Sequence, residues 1–287
     1  MKVERVFVAG AGLMGHGIAQ VHAVAGKTVV LYEPELERAE AGRHRVAGNL
    51  DRSVAKGHLS EADRAAALSR IRPTSDPSEV ARADLVIEAV FEDPDVKTDL
   101  WSRLDALAPA EAVFGTNTSS ISIDRLARAV SVQRRSRFAG MHFFSPVPVM
   151  PLIELIRGTA TTDETERAIR DLAAELGKQV IVSRDRPGFL VNRILMPLLA
   201  EAMRTYEEGT GSADDIDAGA RVGLNHPMGP LELADFIGLD VCLNVMRVLH
   251  EGIGGEHFRP PRVLEDLVAS GHLGQKTGQG FYRYPRS

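Results

Sequence analysis

At 287 residues the chain has room for one large domain or two, with a sizeable buried core. Apolar residues make up 44% and charged residues 25%, and the net charge of −5 fits a globular protein and argues against a general nucleic-acid or membrane binder. The single cysteine, Cys242, closes no disulfide within the chain and fits a reducing cytoplasm, while no apolar run approaches the roughly 18 residues of a membrane span and an immediate first strand leaves no expected room for a leader.

The first predicted element is a buried strand over 3–9, β-branched and apolar, which breaks at Gly10. A helix with apolar residues at Leu13, Met14, Ile18, Ala19 and Val21 follows, so Gly10-Ala11-Gly12-Leu13-Met14-Gly15 is a G-x-G-x-x-G turn between strand and helix. Gly10 permits the tight turn, Gly12 lets the backbone approach a pyrophosphate, and Gly15 lets the helix pack close on the strand. The helix N-terminus, with Leu13 and Met14 in its first turn, offers N–H groups and a positive dipole end to phosphates, so a dinucleotide is expected along 10–15. A second strand over 28–32 ends at Glu33, where a carboxylate accepts hydrogen bonds from ribose hydroxyls and repels a 2′-phosphate. NAD is therefore expected; Arg38, close by in sequence, keeps NADP open. The bland alternative is a glycine turn beside a solvated acid.

A long charged helix is predicted over 34–57, then one capped by Ser60 that runs to about 71 and stops before Pro73. A strand over 83–90, a helix over 95–108 and a strand over 112–115 come next, the last ending in Thr116-Asn117-Thr118-Ser119-Ser120. Such strand ends are where open α/β sheets bind ligands. A helix over 121–130, strands over 138–144 and 152–156 on either side of Pro146-Val147-Pro148, a helix over 162–176 and a strand over 179–183 complete the alternation. The fold class is an α/β Rossmann-like doubly wound sheet followed by an all-α C-terminal domain. The pattern changes at Asp185-Arg186-Pro187-Gly188, beyond which helices are predicted over 189–208, 213–222, 230–251 and 261–270. The expected domains are 1–184 and 185–287, with Cys242 packed in the second core.

Hydride transfer to a nicotinamide needs a group that trades a proton near neutral pH, and the chain offers nine histidines. Most lie in charged or loop-like contexts or in the first helix. His142 lies instead in an apolar strand, Gly140-Met141-His142-Phe143-Phe144, where a titratable side chain requires a partner or a function. Glu154 interrupts the strand Leu152-Ile153-Glu154-Leu155-Ile156 and could be that partner, holding the imidazole tautomer. The competing readings are a satisfied core histidine and a glutamate on an exposed face. Ser119 and Asn192 are polar positions of the same kind, against a loop hydroxyl and a helix-surface amide.

Asn117-Thr118-Ser119-Ser120, Gly140-Met141-His142-Phe143-Phe144, Pro187-Gly188-Phe189-Leu190-Val191-Asn192-Arg193, Pro227-Met228-Gly229-Pro230 and Lys276-Thr277-Gly278-Gln279-Gly280-Phe281-Tyr282 occur in this order along the whole chain. Together they resemble the L-3-hydroxyacyl-CoA dehydrogenase family, in the size class of its single-function members. The resemblance implies NAD-dependent oxidation of a short-chain (S)-3-hydroxyacyl-CoA to the 3-oxoacyl-CoA, reversible, with the thioester entering between the domains. It implies that His142 is the base, Glu154 the carboxylate that orients it, and Ser119 and Asn192 the groups on the substrate oxygen. Glu92, Lys97, Asn117, Ser119 and Lys276 match cofactor-contacting positions, and Lys56 matches a contact to the CoA end. A homodimer through the helical domain is implied, and no metal. Two positions depart from the family pattern: Ser145 stands where Asn is common, and Glu33 where Asp is usual. Open alternatives are a carrier-protein thioester or a free hydroxy acid as substrate, a non-catalytic NAD-binding protein, and a lysine base of the kind used by β-hydroxyacid dehydrogenases, for which Lys97 is the candidate.

Overall fold

A computed structural model of the chain describes residues 2–285. They divide into two compact units, one running through Arg186 and the other starting at Pro187, against an expected boundary after 184.

The first unit carries eight strands and seven α-helices: β1 (Arg5–Ala9), α1 (Leu13–Val24), β2 (Thr28–Tyr32), α2 (Leu36–Ala55), α3 (Glu61–Ser69), β3 (Ile71–Thr74), β4 (Leu85–Glu88), α4 (Pro94–Asp105), β5 (Val113–Thr116), α5 (Ile123–Leu126), α6 (Val132–Arg135), β6 (Phe138–Phe143), β7 (Leu152–Arg157), α7 (Asp163–Glu175) and β8 (Gln179–Arg184). The strands form one sheet in the order β3-β2-β1-β4-β5-β6-β7-β8. Every pairing is parallel except β6 with β7. Order reverses between β1 and β4, and a crevice at such a switch point is where doubly wound sheets take their ligands.

Local chemistry starts the helices where the sequence signals them. Ser60 accepts from the Asp63 N–H at the start of α3, Asp93 caps α4 just before Pro94, and Thr162 caps α7 ahead of three acidic first-turn residues. The strands alternate between two buried faces. Val6, Val8, Met141, Phe143, Ile153 and Leu155 join Ile18, Leu50 and Ile169 in one cluster. Trp101 packs on the other face, 4.9 Å from the Phe114 ring and 5.0 Å from Phe138. That alternation turns His142 and Glu154 away from the first cluster.

Two segments differ from expectation. Residues 71–74 form an edge strand rather than the end of α3, with Ile71 opposite Val29 and Thr74 opposite Tyr32. Pro73 hides the strand in sequence, yet an edge strand tolerates proline because one side of its ladder is unpaired. The helix expected over 121–130 is two short pieces, α5 and a 3-10 turn (Ala127–Ala129), followed by α6.

The second unit is helical: α8 (Val191–Glu207), α9 (Ala213–Ala218), α10 (Pro230–Ile237), α11 (Leu239–Ile253) and α12 (Arg262–Ala269). Met196, Leu199, Met203, Leu231, Leu239, Cys242, Leu243 and Leu249 form its core, and burial pushes the Cys242 thiol up to about 12. The single helix expected over 230–251 is broken at Gly238, whose φ is +104°. Two buried aspartates organise this unit. Asp217 accepts the N–H groups of Leu231 and Glu232 at 2.8 and 2.9 Å, capping α10, and the Tyr282 hydroxyl at 2.8 Å. Asp235 accepts from the N–H groups of Phe281 and Tyr282 and from the Tyr284 hydroxyl, at 3.0, 2.9 and 3.0 Å. A Cβ at Gly280 would lie 2.0 Å from Asp235 Oδ1, which accounts for the glycine in the C-terminal motif. Among the described residues, no helix is long and apolar enough to cross a membrane.

Candidate active site

The site begins where β1 ends. Gly10 has φ +101°, and a Cβ there would lie 2.5 Å from the Ala89 carbonyl oxygen, so only glycine allows the two strand ends at the switch point to approach. A Cβ at Gly15 would fall 1.8 Å from the Gly10 carbonyl oxygen. That close approach is to the turn itself, a tighter constraint than the helix–strand packing expected from sequence. A Cβ at Gly12 would meet nothing within 4 Å, and no side chain caps α1. The turn thus presents an uncapped helix N-terminus beneath open space, a cradle that fits a pyrophosphate. Glu33 lies beside it, one carboxylate oxygen accepting the Ala11 N–H at 2.6 Å. Arg45, from α2, donates to the Ala11 carbonyl at 2.6 Å. These residues fit an NAD with its ribose at Glu33.

Across the switch point, the ends of β4 and β5 carry a cluster that the sequence reading only half identified. Glu88 closes β4 fully buried; its carboxylate accepts the Val90 N–H at 2.9 Å, the Thr116 hydroxyl at 2.7 Å and the Lys97 ammonium. Lys97, itself 1% exposed, also reaches Glu92 at 3.1 Å. Glu92 then receives the Thr118 hydroxyl and the N–H groups of Ser119 and Ser120, the last two at 2.9 and 3.2 Å. Burial pushes the Glu92 carboxyl up, but Lys97 and these donors outweigh it and hold the group below its ordinary range. At Glu88 burial dominates, and its carboxyl is pushed above the usual carboxylate range. Of this cluster, Glu92, Lys97 and Ser119 are expected from sequence as site residues, whereas Glu88, Thr116 and Thr118 are missed. The signal for Glu88 is the one that singles out Glu154: a carboxylate interrupting the apolar run of an expected strand, here 83–90.

The third component is the antiparallel pair β6–β7, whose register sets His142 opposite Glu154. His142 Nδ1 lies 3.0 Å from Glu154 Oε2, with His142 7% exposed and Glu154 fully buried. The Phe144 ring packs on the imidazole, its centroid 4.5 Å away. Asn117 ties the end of β5 to this strand by accepting the Phe143 N–H at 2.9 Å, which brings the 117–120 loop against the neighbour of His142. The exposed-glutamate reading fails on geometry, since Glu154 is fully buried opposite His142, while a buried imidazole with a carboxylate partner fits both a satisfied core histidine and a proton-transfer group.

The remaining expected residues lie on other elements of the two units. Lys56 is the exposed C-cap of α2, and Ser145 is exposed just after β6. Asn192 is buried in the first turn of α8, after Phe189 at φ +52°. Lys276 pairs with both oxygens of Asp240, at 2.5 and 2.7 Å. A cleft of about 500 Å³ against Gln20, Leu50, His58 and Met150 contains none of the expected site residues.

The chain matches two family models, described as 3-hydroxyacyl-CoA dehydrogenase, NAD binding domain, over residues 5–186 and 3-hydroxyacyl-CoA dehydrogenase, C-terminal domain, over residues 188–284. It is 49% identical to a 3-hydroxybutyryl-CoA dehydrogenase of Bradyrhizobium diazoefficiens, covering 98% of this chain and 96% of the relative. It is 44% identical to a probable 3-hydroxybutyryl-CoA dehydrogenase of Bacillus subtilis, over 99% and 98% of the two chains. Among solved structures, (S)-3-hydroxybutyryl-CoA dehydrogenase PaaH1 from Ralstonia eutropha superimposes with a TM-score of 0.95 at 44% identity, over 99% of this chain and 100% of the other.

Proposed function

The chain belongs to the 3-hydroxyacyl-CoA dehydrogenase family and is an NAD-dependent oxidoreductase, and from that premise we propose that it reversibly converts a short-chain (S)-3-hydroxyacyl-CoA to the 3-oxoacyl-CoA, with His142 as acid and base. The observation that carries this reading is the cross-strand contact of His142 Nδ1 with Glu154 Oε2 at 3.0 Å. A carboxylate on Nδ1 fixes the tautomer that carries its proton there, so exchange with substrate falls to Nε2. Bound over the glycine turn, NAD supplies the hydride acceptor. His142 removes the hydroxyl proton as hydride leaves C3, and Glu154 stabilises the imidazolium so formed. In reverse, the imidazolium returns the proton to the oxygen. Ser119, on the loop that Asn117 anchors to β6, donates to that oxygen as charge develops.

Glu92 and Lys97 serve the cofactor indirectly, by shaping this loop; Lys97 is buried between two carboxylates, which disfavours it as the base. Asn192, Lys56 and Lys276 enter the proposal from their motifs alone, as contacts to substrate oxygen, CoA and cofactor. A homodimer is supported by apolar surface on the helical unit, where Ile194 is 70% and Val222 87% exposed. A cytoplasmic setting is supported by the single buried cysteine.

The test is NADH oxidation by the purified protein with acetoacetyl-CoA, beside carrier-protein and free-acid substrates. Turnover on the CoA thioester that His142→Gln abolishes, with NADH binding retained, is the expected result. Turnover only on another handle overturns the CoA reading, and an active His142→Gln overturns the assignment of the base.

A further inference from the structure

The cluster at the ends of β4 and β5 contains more than the proposed chemistry uses. Glu88 is fully buried, and an ionic group in such a place costs more than apolar packing would unless its charge is needed. Its contacts reach outward in one direction. From Glu88 they pass to Lys97, from Lys97 to Glu92, and from Glu92 to the hydroxyl of Thr118 and the N–H groups of Ser119 and Ser120. A second arm runs from Glu88 to Thr116, the last residue of β5 before that loop. Thr118 in turn accepts the Ile121 N–H at 2.9 Å, closing the far side of the loop.

We propose that Glu88 is a positioning residue for the dehydrogenase reaction: through Lys97 it keeps Glu92 as a fixed carboxylate under the 118–120 backbone, and so sets where Ser119 presents its hydroxyl. The proposal rests on the functional reading above. Two features separate it from mere core stabilisation. The chain of contacts spans β4, α4 and the β5 end, which are held together at the ligand-binding edge of the sheet. In addition, the charges are matched in sequence: Lys97 faces a carboxylate on either side, so removing any one member changes the ionisation of the next.

The variants are Glu88→Gln, which keeps the shape and one acceptor oxygen but removes the charge, and Thr116→Val, a milder cut in the second arm. Amide hydrogen exchange reads the loop without reference to turnover. Expected in Glu88→Gln is faster exchange at Ser119 and Ser120, with Ile87 and Phe114 in the strands unchanged; Thr116→Val moves the same amides less. In the assay with acetoacetyl-CoA and NADH, kcat falls roughly 10- to 100-fold, the scale of a slightly misplaced reacting group. Lys97→Met leaves two neighbouring carboxylates without their cation, and a new ionisation then appears in the kcat pH profile above the usual carboxylate range. Adding Glu88→Gln removes that ionisation again, a reversal that simple destabilisation does not produce. Unchanged exchange at Ser119 and Ser120 in both Glu88→Gln and Thr116→Val overturns the proposal, as does uniform acceleration across the strands. A wild-type protein inactive on every thioester overturns the functional reading instead, and the exchange comparison still decides the role of Glu88 in holding the loop.

Discussion

The β6–β7 edge of the sheet and the tail of the helical unit solve the same problem in opposite ways. Each buries carboxylates almost completely: Glu154 at one place, Asp217 and Asp235 at the other. Asp217 and Asp235 are met by backbone N–H groups and tyrosine hydroxyls, donors that keep their protons at any working pH. Glu154 is met by an imidazole, a side chain that can both give and take a proton. A buried carboxylate is therefore no sign of catalysis by itself; what it holds decides. Fixed donors make a latch, whereas an imidazole in that place is what the proposed proton transfer requires.

The comparison breaks most visibly at His142. His142→Gln preserves bulk and some hydrogen bonding but takes no proton, and kcat is expected to fall on the order of a thousandfold, within the usual range for a general acid–base. Thermal unfolding and NADH fluorescence check that fold and cofactor binding survive. The mirror experiment is Asp235→Asn in the helical unit. An amide there turns an N–H toward at least one of three donors, and stability is expected to drop by about 3 kcal/mol in urea unfolding. Turnover per folded molecule should hold. A loss of kcat with unchanged stability would place Asp235 in the chemistry and collapse the distinction. Glu154→Gln comes next, with about a hundredfold loss in kcat as the imidazolium loses its counter-charge. Smaller again is Gly280→Ala, whose methyl meets Asp235 Oδ1 and costs about 2 kcal/mol of stability without touching kcat.

Much of the catalytic side of this comparison is legible in sequence, because its signals are local. The turn at 10–15 is announced by strand, glycine spacing and helix in unbroken order, and His142 and Glu154 each stand out as a polar residue inside an apolar strand of period two. Thr116 and Thr118 escape because they look ordinary until β4, α4 and β5 are brought together around Glu88 and Lys97. Glu88 itself interrupts the apolar run 85–90, a signal of the same kind as Glu154 that has no partner within reach along the sequence. The break at Gly238 escapes for a similar reason: apolar periodicity runs straight through it, and the Leu239 N–H is taken by the Leu273 carbonyl, distant in sequence. Asp235 is equally silent, since it lies within α10 and its partners are the backbone of the chain's last motif.

The finest test turns on two histidines of the sheet unit. His22 in α1 is wholly buried, with Nδ1 2.8 Å from the Ile18 carbonyl oxygen, a partner with no net charge to offer an imidazolium. Burial, reinforced by Lys27 and Lys178 and only partly opposed by that carbonyl, lowers its pKa from 6.5 to about 4. The unfolded chain therefore takes up this proton before the native one does. The stability His22 permits is full above pH 6.5 and declines as pH falls toward about 4. Between pH 7 and 5.5 the decline amounts to about 1 kcal/mol. His22→Leu should flatten that part of the stability-versus-pH curve by the same amount and leave the pH profile of kcat where it was. His142→Gln should do the reverse, abolishing turnover without flattening the His22 limb. If His22→Leu instead moves the kcat profile, a carbonyl-held imidazole shares in the proton transfer, and the carboxylate partner is not what distinguishes His142.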